Sequence, residues 1–132
     1  MISLRLQIKI APDTRIGDGK IRLLEEVGRI GSISGAARVL GMTYRRGWEL
    51  IDHMNKAFGQ PVVAGKTGGL GGAELTDLGR DLIVRFRAIE AVVQQTATPH
   101  LAVLERAVVA PAADAEPDAR GTDTPTPPRT RA

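Results

Sequence analysis

The sequence predicts a mainly α (α+β) fold: a winged helix-turn-helix with a small antiparallel β wing and a long C-terminal dimerisation helix. Three stretches predict it. From Ser32 to Phe58, two helical segments meet across a turn of a few residues containing Gly41, as in a helix-turn-helix. From Pro61 to Leu75, two short extended segments flank Gly65–Gly72, where five of eight residues are glycine. From Thr76 onward, Leu78, Leu82, Phe86, Ile89 and Val93 recur at steps of three and four, the spacing of an apolar helical stripe.

Taken in order, Leu4, Leu6, Ile8 and Ile10 alternate with Arg5, Gln7 and Lys9, the period of a strand with one buried face, and Pro12-Asp13 ends it. Asp18 then caps a helix carrying Ile21, Leu24, Val27 and Ile30; Gly28 weakens it slightly and Gly31 stops it. Ser32 caps the next short helix, whose Ala36 and Ala37 allow close helix approach, and Gly41 ends it by accepting a positive φ. Thr43 opens a second helix with Tyr44, Arg45 and Arg46 at its front. Trp48, Ile51, Met54 and Phe58 behind them are read as core. Pro61 starts the strand Val62-Val63-Ala64, and Ala73-Glu74-Leu75 returns as its partner, with the first strand pairing beside this hairpin. Thr76 caps the last long helix. Ile83 and Val92 widen its apolar side beyond one stripe, leaving a flank for a second copy of the chain, and Leu101, Leu104 and Val108 form a short further helix after Pro99.

The chain has 132 residues, and the folded unit is placed at residues 1–109. Residues 110–132 are a tail of Ala, Pro, Asp and Thr that cannot offset its ordering entropy and is expected to be disordered. The net charge is +3, and the basic excess falls before the tail, which is compatible with a nucleic-acid partner. Cysteine is absent, excluding disulfides and thiolate metal sites. No apolar run is long enough to span a bilayer and the N-terminus alternates, so a cytoplasmic location without a membrane partner is expected.

The segments GSISGAARVLGMTYRRGWELIDHMN and TGGLGGAELTDLGRDLI resemble the N-terminal DNA-binding domain of the ModE family, molybdate-responsive transcriptional regulators with a LysR-like winged helix-turn-helix. The resemblance covers roughly residues 3–109 by pattern. Its most specific parts are Gly41-Met42-Thr43-Tyr44, Trp48, and Thr67-Gly68-Gly69 leading through further glycines to Leu75-Thr76. It implies a homodimer that binds a palindromic operator and regulates genes of molybdate transport or molybdoenzyme synthesis. Full-length family members carry C-terminal molybdate-binding domains, whereas this sequence runs into the Pro/Thr tail; a separate molybdate-binding protein would then supply the sensing.

Reading the major groove requires donors at the front of a helix, and arginine is the commonest specific reader because its fork matches guanine O6 and N7. Thr43, Tyr44, Arg45 and Arg46 supply such donors within one turn; successive residues rotate by about 100°, so some face base edges and others phosphates. Lys66, Thr67, Gly68 and Gly69 form the wing tip, with Lys66 as its charge. Ser34 and Arg38 are further candidates for backbone contacts, and Leu82, Phe86, Ile89 and Val93 for the dimer interface.

Gly65-Lys66-Thr67 imitates the end of a phosphate-binding P-loop, but the required earlier glycine is replaced by Gln60 and no helix follows directly. Gly69-Leu70-Gly71 likewise lacks the rest of a dinucleotide fingerprint. His53 and His100 stand far apart without cysteines. No catalytic residue, metal or cofactor is therefore assigned. The competing reading is a winged-helix protein-protein adaptor without specific DNA binding.

Overall fold

The chain runs β1 (Gln7–Ile10), β2 (Thr14–Gly17), α1 (Asp18–Ile30), α2 (Ile33–Val39), α3 (Tyr44–Phe58), β3 (Val63–Gly65), β4 (Ala73–Leu75) and α4 (Asp77–Ala107). This is a computed structural model, and it describes residues 2–66 and 72–109. The wing-tip residues Thr67, Gly68 and Gly69 and the tail 110–132 lie outside the described residues. Residues 3–98 form one compact unit. Ile2 and residues 99–109 fall in a second, in which the Ile2 backbone N–H donates to the Glu105 carboxylate at 2.9 Å.

Helix ends follow the capping chemistry. Gly31 closes α1 with φ 82° and donates its N–H to the Val27 carbonyl. Ser32 Oγ accepts from the Gly35 N–H at 2.9 Å at the start of α2, and Thr43 Oγ1 accepts from the Arg46 N–H at 3.0 Å at the start of α3. Between those helices Gly41 adopts φ 72°. Thr76 Oγ1 accepts from the Gly79 N–H at 3.0 Å and donates to the Pro61 carbonyl at 2.8 Å, joining the start of α4 to the approach of β3. Asp18 departs from expectation. Gly17 occupies the N-cap position and has no side chain to make a cap bond, while Asp18 is the first helical residue and its carboxylate accepts from Arg87.

The core gathers Ile21, Leu23, Leu24 and Val27 of α1, Ala36 of α2, Ile51 and Met54 of α3, and Phe86 of α4, together with Ile16 and Val62. Each large side chain so buried contributes roughly 1.5–3 kcal/mol. α2 and α3 pack closely at Gly47, where a Cβ would stand 3.4 Å from the Ala37 methyl. Gly28 has a packing reason too: a Cβ there would lie 2.8 Å from Leu75 Cδ1, so its absence lets β4 pack against α1.

The sheet differs from expectation. β1 does not join the hairpin; it pairs antiparallel with β2 in register Ile8 to Ile16, while β3 and β4 form a separate two-stranded sheet in register Val63 to Leu75. The segment Thr14–Gly17 contains only Ile16 as a large apolar residue, too few for an alternation, yet that residue is fully buried. The wing is tied instead to the end of α1, through the Ala73 N–H donating to the Gly31 carbonyl at 2.9 Å.

α4 is one helix through Pro99 rather than two. Proline removes one intrahelical donor, a loss tolerated where water reaches the freed carbonyl. On this helix Leu78, Leu82, Ile83 and Phe86 face the core, and Phe86 is 1% exposed. Phe86 is therefore occupied within its own chain rather than available to a dimer interface, while Leu82 is partly buried against the same core. Val84, Ile89 and Val92 are exposed, and Val93 is half-buried. Arg87 bridges α4 to α1: its guanidinium grips Glu25 with two bonds of 3.0 and 2.9 Å, reaches Asp18 at 2.9 Å and Glu90 at 2.8 Å. The Glu25 hydrogen bonds chiefly, then those of Glu90 and Asp18, raise its pKa above the usual arginine value against the opposing effect of burial.

Candidate nucleic-acid interface

The first turn of α3 is held out in solvent by what lies behind it. Gly47, Ile51 and Met54 are buried against the core, so the opposite face of the helix must be exposed. Thr43, Tyr44, Arg45 and Arg46 are all exposed there. The two arginines are held by one carboxylate: Glu49 lies 3.8 Å from Arg45 Nε and 3.3 Å from Arg46 Nη1. Such exposed pairs contribute about 0–1 kcal/mol, so a stronger anion can displace Glu49.

α3 divides the surface into two grooves. On one side Tyr44 and Trp48 border a groove of about 530 Å³ whose other walls are the start of α2 and the β3–β4 hairpin. Ser34 lines it, as do the small residues Ala64, Gly65 and Gly72. On the other side Arg46 borders a groove with Arg5, Arg15 and Lys20, set against the carboxylates of Asp18 and Glu90. Lys20 Nζ donates to the Arg15 carbonyl at 2.6 Å. Burial first, and the charge of Arg46 second, lower the Lys20 pKa from its ordinary value. The three donor side chains of the first turn thus point differently: Tyr44 toward the hairpin, Arg46 toward the start of α1, and Arg45, 90% exposed, outward.

Ser34 stands at the start of α2 with its hydroxyl 3.0 Å from that of Ser32, facing the hairpin groove. Arg38 is exposed in the last turn of the same helix. Lys66 is exposed beside the hairpin, with its stem lying over Gly72 and its ammonium over Gly31: Cβ atoms there would stand 3.0 Å from Lys66 Cδ and 3.3 Å from Nζ. Its N–H donates to the Gly72 carbonyl at 3.0 Å, the last described bond before the wing tip.

Trp48 is the main departure from the sequence reading. It is 42% exposed rather than in the core, and its indole N–H donates to the Tyr44 hydroxyl at 2.7 Å. Its position one turn after Tyr44, on the same face, was the available signal. Arg15 and Lys20 were also missed, because they come from elements remote in sequence from α3.

A family model described as a bacterial regulatory helix-turn-helix protein of the lysR family matches residues 19–80, the span from α1 to the start of α4. The molybdenum-pterin-binding protein MopA of Rhodobacter capsulatus is 40% identical over 111 residues, covering 83% of this chain and 40% of that protein. The molybdenum transport protein ModE of Azotobacter vinelandii is 40% identical over 96 residues, 68% of this chain and 36% of that protein. Residues 19–80 carry a LysR-like helix-turn-helix, and the chain is similar to the ModE group over that part of those proteins.

Another ModE relative, the DNA-binding transcriptional dual regulator of Escherichia coli (strain K12), is 36% identical over 97 residues, 72% of this chain and 36% of that protein. The chain spans about two fifths or less of the length of these curated ModE-group relatives. Among solved structures, a CbnR_DBD–DNA complex matches with a TM-score of 0.53 at 16% identity, covering 65% of this chain and 95% of that one, a likeness of fold. Among the described residues no helix is long and apolar enough to cross a membrane.

Proposed function

We propose that this chain is a sequence-specific DNA-binding transcriptional regulator, acting in the cytoplasm as a homodimer on a palindromic operator of molybdate transport or molybdoenzyme genes. The observation that carries the reading is the first turn of α3, which holds Arg45 and Arg46 in solvent between two grooves with Glu49, among the described residues, as a displaceable counter-ion. A helix so presented fits the major groove: Arg46 takes one side and Arg45 its floor, Tyr44 faces the strand on the hairpin side, and Ser34, Arg38 and Lys66 take phosphates. Thr67, Gly68 and Gly69 belong to the same reading as the wing tip. Two copies joined through the exposed flank of α4 place two such helices about 34 Å apart, one per half-site.

The molybdenum connection follows from the names of the relatives, which include a transcriptional regulator and a molybdenum transport protein. A molybdate-binding partner belongs to the same proposal, in which the part this chain plays is to bind DNA. The adaptor reading is less favoured, because the relatives include a DNA-binding transcriptional regulator and the exposed arginine pair suits a polyanion.

Sequencing of DNA fragments selected from a random pool by the purified protein tests the proposal. The expected result is a palindrome whose half-sites are centred about one helical turn apart. Recovery of unrelated fragments retained only at low salt would remove it.

A further inference from the structure

Tyr44 and Trp48 are an exposed aromatic pair one turn apart on α3, at 53% and 42% exposure, and they are locked together by the 2.7 Å bond between the indole nitrogen and the phenol oxygen. An indole N–H is a donor only, so the bond runs from Trp48 to Tyr44. The phenolic proton consequently points away from the indole and is available to another acceptor. Accepting one hydrogen bond polarises the hydroxyl and makes it a stronger donor. Among the described residues lining the groove it faces, Tyr44 is the one ionisable group, and Ala64, Gly65 and Gly72 leave room for a backbone to come close. Ser34 adds a second hydroxyl to the same groove. Such a site favours an acceptor-rich strand approaching along the hairpin.

We propose that Trp48 is a positioning residue that presents the Tyr44 hydroxyl as a proton donor to a backbone phosphate oxygen of a DNA strand lying between α3 and the β3–β4 hairpin. This rests on the DNA-binding reading and adds to it a contact that carries no base preference. Trp48 is the single tryptophan of the chain, so its fluorescence reports the site directly.

The test measures affinity of the full chain for its selected duplex in the wild type, Tyr44→Phe, Trp48→Phe and the double variant. Tyr44→Phe is expected to weaken binding about tenfold, the usual effect of losing a hydrogen bond to a charged group. Trp48→Phe should lose a similar factor, and the double variant no more than Tyr44→Phe alone. Base preference should stay unchanged in all three. In the free protein, Tyr44→Phe should shift the Trp48 emission to the red as its N–H turns to water. Neutral methylphosphonate scanned along the duplex should find one position that weakens the wild type but leaves Tyr44→Phe unaffected. Additive losses, an unaltered Tyr44→Phe affinity, or no such position would overturn the assignment while leaving the regulator intact. Failure of the wild type to retain any selected duplex would overturn both.

Discussion

At the front of α3 the large exposed side chains can each form a directed polar bond, whereas on the outer flank of α4 Val84, Ile89 and Val92 can form none. Both surfaces leave bulky groups in water, at 53% for Tyr44 and 63% for Val84, so exposure by itself does not separate them. Chemistry does. The α3 front offers donors and mobile cations, suited to a hydrated polyanion that keeps some of its water. The α4 flank offers aliphatic carbon beside the exposed Asp81–Arg85 pair, and what its valines and isoleucine gain on binding comes from removing that carbon from water. One surface suits DNA, and the other is the one we propose for a second copy of the chain.

The sharpest way to break this contrast is to charge the α4 flank. Ile89→Asp with Val92→Asp should convert the dimer to a monomer in sedimentation and lower operator affinity by about 100-fold or more, because the second half-site is no longer delivered. Melting near the wild-type temperature is expected, since neither residue belongs to the buried core. A dimer that survives both charges would refute the assignment of that flank. On α3, Arg46→Ala should weaken binding by about 1–3 kcal/mol and relax one base position, while Lys66→Ala should cost less, equally on all sequences, and reduce the salt slope by about one. Titrations at several salt concentrations would separate the two, and identical sequence-blind losses would erase the division between them. The smallest effect is the most pointed: Glu49→Gln should raise affinity a few-fold by freeing both arginines, with stability changed by no more than about 1 kcal/mol. Lower affinity in that variant would mean that Glu49 orients the arginines rather than restraining them.

The parts legible in the sequence were those written in local chemistry. Ser32, Thr43 and Thr76 cap their helices as read, and Gly31 and Gly41 take the positive φ that ended theirs. Such signals depend on neighbours within four residues. β2 escaped because a four-residue strand with one apolar side chain has no visible period, although Ile16 is as buried as any core residue. The placement of β1 beside the wing failed for the same reason: its true partner had not been seen. Trp48 was misjudged because hydrophobicity suggested burial, while the Tyr44 hydroxyl one turn earlier gave its N–H a partner in solvent. Phe86 shows the converse, since a single helical stripe does not say which of its members reaches the chain's own core. The groove with Arg5, Arg15 and Lys20 depends on contacts between distant segments, which no local pattern carries.

The Arg87 fork gives each subunit a fixed azimuth. It joins Asp18 and Glu25 on α1 to the flank of α4, so that α1 cannot roll about α4 without breaking several charge-assisted bonds. In the proposed homodimer, the toe-in of the two reading heads would consequently be set inside each monomer, by one guanidinium and its carboxylates, before the partners meet.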